Sequence, residues 1–236
     1  MDLVLDPLTT LDNPVHTALT GPHRRFAQVR GRAVRYQPDV TPFAALPLDP
    51  TAADWADLAV LAGPGGTAVL AGPDRPAPPG WTATMSLPGV QMDGAGLETA
   101  PDPEAVRLGP ADVAEMLDLV SRTRPGPFLA RTVELGVYLG IRREGALVAM
   151  AGERMRVPGA TEISAVCTDP AARGQGLAAR LVRAVGAVVR ERGERPFLHA
   201  AASNTGAIRL YERMGFTLSR ELSFLGFTAP ATVTTG

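Results

Sequence analysis

The run TEISAVCTDPAARGQGLAARLVRAVGAVVRER, residues 161–192, constrains the fold more than any other part of the chain. Residues 161–168 predict a strand. A helix is predicted over 176–192, where Leu177, Leu181, Val185 and Val189 fall four apart with arginines between them, giving one apolar and one solvated face. Between them, Gly174 and Gly176 let backbone N–H groups converge without side-chain obstruction, and the helix adds its unpaired first-turn donors. A strand, a glycine turn and a covering helix in immediate succession call for an α/β architecture. The turn is suited to a phosphate, with Arg173 as a charged bidentate partner, although a glycine pair before a helix also serves as a plain tight turn. It lacks the lysine of a nucleotide triphosphate loop and the full G-x-G-x-x-G of a dinucleotide fold.

The pattern around this unit is regular. AVRLG reads as a strand, PADVAEMLDLVSRT as a helix with proline in its first turn, and GVYLGIRREGALVAMAGERMRV as two strands turning at Glu144 and Gly145. RPFLHAA is a further strand, NTGAIRLYERMG a helix capped by Asn204, and LSFLGF a closing strand. Upstream, residues 37–103 are crowded with proline and glycine, and only a helix over 51–62 opened by Thr51 and strands over 66–71 and 81–87 stand out. ETAPDPEA, residues 98–105, reads as a linker, dividing the chain into 1–103 and 104–236.

Charges nearly cancel, with 23 basic against 24 acidic residues, so no broad field draws nucleic acid or an anionic membrane. The chain contains no lysine, leaving no side-chain amine of its own to acylate. Its single cysteine, Cys167, permits no internal disulfide. The N-terminal residues have no leader pattern and no apolar run reaches membrane-span length, so a cytoplasmic protein is expected. His16 and His23, with Asp12, lack metal-ligand spacing, and no metal is expected.

Arg173, Gly176 and Ala178 form an R-x-x-G-x-A pattern after a strand and a DP turn, and NTGAIRLYERMGF follows about thirty residues later. Together these resemble the GNAT superfamily of acetyl-coenzyme A-dependent N-acyltransferases over residues 104–227, and look especially like a bacterial branch related to glycine N-acyltransferases. The resemblance implies a mixed, mostly antiparallel twisted sheet flanked by helices, with an N-terminal half that is a degenerate copy of the same fold. It implies acetyl-coenzyme A as acyl donor, its pyrophosphate on the backbone of Arg173, Gly174, Gln175, Gly176, Leu177 and Ala178. Its pantetheine arm would lie along the strand at Val166, Cys167 and Thr168, where strand 161–168 splays from 196–202. Asn204 would contact the coenzyme while capping its helix.

Tyr211 corresponds to the family's general acid, a phenol that stays protonated at neutral pH and gives its proton to the departing thiolate. Glu162 is expected as the base that deprotonates the amine, with Glu134 and Glu153 in reserve; a strand-end carboxylate paired with an arginine is the competing reading. A backbone N–H at Val166 or Cys167 should meet the carbonyl oxygen. Cys167 has no adjacent histidine or orienting acid, so direct transfer is favoured over an acyl-enzyme. His199 reads as a hydrogen-bonded core residue. The expected activity is acetyl transfer to a small-molecule or peptide amine. A non-catalytic coenzyme A sensor is the competing class, and small Ala165 and Ala201 leave room for a longer acyl group. Exposed sheet edges allow a homodimer.

Overall fold

The computed structural model describes residues 10–232. Its first half contains helix α1 (Pro14–Thr20), strands β1 (Ala27–Arg30), β2 (Ala33–Tyr36) and β3 (Phe43–Ala45), helix α2 (Ala52–Ala62), and strands β4 (Thr67–Gly72) and β5 (Thr82–Asp93). The second half begins with strand β6 (Val106–Leu108), helix α3 (Val113–Thr123), and strands β7 (Tyr138–Arg143), β8 (Ala146–Val157) and β9 (Ala160–Thr168). It continues with helix α4 (Leu177–Glu191), strand β10 (Arg195–Ala201), helix α5 (Thr205–Arg213) and strand β11 (Thr217–Thr228).

Local chemistry explains many boundaries. Thr51 caps α2 reciprocally with Asp54, each side chain taking the other's backbone N–H. Glu144 and Gly145 both adopt positive φ, 51° and 86°, as a two-residue hairpin turn requires. All four apolar positions of the α4 stripe are buried, each contributing about 1.5–3 kcal/mol of transfer free energy. They pack with Ile141, Ile163 and Leu198 from the sheet. Leu19 and Val15 of α1 cover part of the sheet with Phe43, Met155 and Phe197.

All eleven strands join one sheet in the order β1-β2-β3-β4-β11-β5-β10-β9-β8-β7-β6. The two parallel pairings are β3 with β4 and β9 with β10; the others are antiparallel. Helices α2 and α4 are the corresponding crossovers. With the edge strand β6 set aside, the order reads the same in both directions if β1 to β5 are matched with β7 to β11, and every pairing sense matches too. The first half thus repeats the strand pattern of the second, and the halves exchange their last strands, β5 lying between β10 and β11.

That exchange makes residue 103 a division of the chain and not of the sheet. The segment 98–105 has no regular structure, as its composition predicts, yet it is fastened to α4: Asp102 accepts Arg180 Nε and Nη2 at 2.6 and 2.8 Å. Among the described residues, no helix is long and apolar enough to cross a membrane.

Candidate active site

Strands β9 and β10 pair at Ala160 with Arg195, Thr161 with Pro196 and Glu162 with Phe197, and then part. Beyond that apex, residues 163–168 and 198–201 diverge and their facing edges open into a cleft of about 860 Å³. The splay that the resemblance implies is therefore present. A bulge shapes the β9 wall: Met150 pairs with Cys167 and Gly152 with Ser164, so Ala165 and Val166 share one opposing residue, Ala151. Ala165 takes φ 52°, sparsely populated for a residue with a Cβ, and both bulge residues line the cleft.

The mouth is formed by the glycine turn. Gly174 and Gly176 adopt φ 81° and 73°, and a Cβ at either would meet nothing within 4 Å, so backbone conformation and not space calls for glycine. The helix that follows is left open. No side chain caps α4, whereas Asn204 Oδ1 accepts Ala207 N–H at the start of α5 and Thr51 closes α2. In the first half, the equivalent helix carries the Asp54 carboxylate on its own first turn, itself bound by Arg32, so that site is closed to an anion. Thr168 Oγ1 is buried without a partner at the cleft wall. An open donor cradle and an orphaned hydroxyl fit a phosphorylated, amide-bearing ligand such as coenzyme A.

Of the expected coenzyme-binding residues, Val166, Cys167, Thr168, Arg173, Gly174, Gly176, Leu177, Ala178, Asn204 and Tyr211 line the cleft, while Gln175 is exposed within the turn. The Cys167 side chain is buried among Met116, Leu119 and Met150, and burial pushes its thiol up to about 11. Tyr211 is buried against Phe216, ring centroids 5.8 Å apart, and no protein hydrogen bond holds its hydroxyl among the described residues. Burial, with Cys167 nearby, pushes its phenol up to about 12.

Glu162 is not among the residues lining the cleft. It is buried at the apex, its oxygens accepting Arg154 Nε at 2.8 Å and Nη2 at 2.6 Å, and His199 Nδ1 lies 2.7 Å from Oε1. Burial alone would push the carboxyl up, but Arg154 and His199 outweigh it and hold it down at about 2. Both of its oxygens are thus occupied, which is the arrangement of the competing paired-arginine reading. The reserves are engaged too: Glu134 is bound to Arg131, and Glu153 accepts Val137 N–H and Arg192. The imidazole of His199 is shut from solvent between Glu162 and the Gln91 side-chain amide, 3.1 Å from Nε2. His23 is buried on the Tyr36 hydroxyl at 2.9 Å, and no metal-binding group occurs among the described residues.

Several cleft residues carry no motif. Phe43, Met85, Leu87, Arg154 and Phe224 also line it, as do Arg124 to Pro127 after α3. The RPGP turn at 124–127 signals a loop, but nothing local in sequence brings the first half to this wall.

The FR47-like protein family matches residues 138–225. A GNAT-family protein of Novosphingobium aromaticivorans, named as an acetyltransferase, is 41% identical over 93% of this chain and 98% of its own, with a TM-score of 0.86. A GCN5-related N-acetyltransferase from Kribbella flavida shares the fold at 20% identity, covering 92% of this chain and 95% of its own, TM-score 0.60. Curated protein sequences yield no match.

Proposed function

The chain belongs to the GNAT family of acetyltransferases, and on that premise we propose that it moves an acetyl group from acetyl-coenzyme A to a primary amine by direct attack. The observation that carries this reading is the uncapped N-terminus of α4, opening with its glycine cradle onto the gap between β9 and β10. The donor supplies an activated thioester. Backbone N–H groups from Arg173 to Ala178, with the Arg173 guanidinium, hold its pyrophosphate, and the free edge of β9 at Val166 and Thr168 pairs with its amide-bearing arm.

In the transfer, the amine nitrogen bonds to the acyl carbon and the carbon–sulfur bond breaks. The amine loses one proton and the sulfur gains one, leaving an amide and a free thiol. Tyr211, with its hydroxyl unheld and its phenol protonated up to about pH 12, gives the sulfur its proton. The bulge at Ala165 and Val166 frees backbone from the ladder to face the acyl oxygen. Glu162, Arg154 and His199 fix the apex from which both strands diverge, a positioning role. The amine is deprotonated by water entering the open cleft, because none of the described residues lining it is Asp or Glu and the lining His199 has both ring nitrogens engaged by Glu162 and Gln91. The finer placement near glycine N-acyltransferases rests on the strings EISAVCTDPAARGQGLAARL and NTGAIRLYERMGF together with the repeated strand pattern.

Amine-dependent release of thiol from acetyl-coenzyme A tests the reading. Release that requires an amine and falls in Tyr211→Phe supports it. Tight coenzyme binding with no thiol released from any amine would point to a non-catalytic sensor instead.

A further inference from the structure

Strand β5 outruns its neighbour β10. Their pairing ends at Gly89 with Ala201, while β5 extends back to Thr82 along β11. Its first residues therefore project past the end of β10, and Met85 and Leu87 among them line the cleft. Met85 and Leu87, two apart on one face, keep 40% and 38% of their surface exposed, and what sets them apart from singly exposed apolar residues is that both line the cleft. Cross-strand register makes them part of one patch: Leu87 faces Phe224, Phe224 faces Ala71, and Val69 faces Phe43. The Phe43 and Phe224 rings lie 6.2 Å apart. This patch comes from strands β3, β4, β5 and β11, whereas the glycine turn follows β9; both line the same cleft.

Charge narrows the occupant further. The ionic side chains lining the cleft are Arg124, Arg154 and Arg173, with no carboxylate among the described lining residues. Arg173 belongs to the glycine turn, and Arg154 at the apex is already matched by Glu162. A polycationic acceptor would meet like charge and find no counter-ion.

Resting on the acyltransferase reading, we propose that the acceptor is a primary amine on an apolar or aromatic carbon skeleton, seated against Met85, Leu87 and Phe224, with the buried Phe43 ring behind them. The skeleton lies on the patch and its amine points toward the bulge at Ala165, where the nitrogen bonds to the acyl carbon, the thiol leaves protonated and the amine's proton passes to solvent. Burial of the skeleton, and not an ion pair, supplies the selectivity. The shared chemistry admits an arylalkylamine or an apolar amino acid, which differ in a carboxylate.

Thiol release from acetyl-coenzyme A is compared for phenethylamine, phenylalanine, glycine and spermidine, while calorimetry reads binding of acetyl-coenzyme A and phenethylamine separately. The expected result is kcat/KM for phenethylamine or phenylalanine about tenfold or more above glycine and spermidine. The ratio of the first two identifies the source. Leu87→Glu and Met85→Glu, both at exposed positions, should each lower the apolar amine's kcat/KM about tenfold while acetyl-coenzyme A still binds. Preference for glycine or spermidine, or indifference to both substitutions, overturns the inference and leaves the acyltransferase reading intact. If no amine is acetylated, binding of phenethylamine that is weakened by Leu87→Glu still supports the apolar subsite, and absence of that binding overturns it. Failure of acetyl-coenzyme A alone to bind would count against the reading beneath it.

Discussion

Arg154 and Glu162 form a bidentate pair at the point where β9 and β10 separate, Nε to Oε2 at 2.8 Å and Nη2 to Oε1 at 2.6 Å, both residues buried. The pair, with His199 behind it, makes the apex of the cleft a charged, hydrogen-bonded hinge point and not a greasy one. Breaking one partner strands the other. Glu162→Gln should destabilise the fold by about 3–5 kcal/mol, read by urea unfolding, because it leaves Arg154 buried without its counter-charge. A change within experimental error would mean that the pair does not hold the apex.

Buried groups, His23, Glu162 and Asp54 among them, bear on the acid side of the stability profile. His23 is held down at about 4, chiefly by burial, so its stabilisation is complete above its ordinary value of 6.5 and is lost as pH falls toward 4. Glu162, with its carboxyl at about 2 against an ordinary 4.5, adds a second loss between those values. Unfolding free energy should therefore decline in two stages below about pH 6.5, and His23→Gln should remove most of the first. A flat profile from pH 6.5 to 4.5 in the unsubstituted protein would contradict the assignment.

Direct transfer separates two residues of the cleft. Tyr211→Phe should lower kcat by about a hundredfold by removing the proton donor, whereas Cys167→Ala should retain activity, because a buried thiol pushed up to about 11 supplies almost no thiolate at neutral pH. Single-turnover experiments on Cys167→Ala would expose any need for an acyl-enzyme.

The rate's rise with pH should follow the acceptor and not the protein. With no carboxylate among the described residues lining the cleft and the His199 ring shut from solvent, the amine must arrive neutral or lose its proton to water. Replacing a strongly basic amine by a less basic one should move the rising limb of kcat/KM to lower pH by about the difference in their pKa values. A limb fixed across acceptors would reveal a protein base.

Much of the second half was legible from local pattern. The α4 stripe, the hairpin at Glu144 and Gly145 and the cap at Asn204 are each fixed by neighbours in sequence, and each forms where expected. The first half gave less because β1, β2 and β3 are three or four residues long, too short for periodicity to speak. Strand β5 was expected to end at 87, before Pro88 and Gly89, yet it continues to Asp93. Pro88 is tolerated because β10 stops there: its carbonyl accepts Ala202 N–H, and the edge that would need its missing donor lies at the end of the ladder. The partners of Glu162 were not legible for a related reason. Its neighbours in sequence show a strand-end acid, while its partners Arg154 and His199 arrive through sheet register.

The measurement that bears most directly on the account is calorimetric titration with acetyl-coenzyme A of the unsubstituted protein, Gly176→Asn and Gly176→Glu. Asparagine tolerates the left-handed conformation of residue 176, so it controls for backbone strain, while glutamate places a carboxylate at the open helix terminus. The account predicts binding by the unsubstituted protein and the asparagine variant and its loss with glutamate. Equal binding by the glutamate variant, or none by the unsubstituted protein, would contradict it.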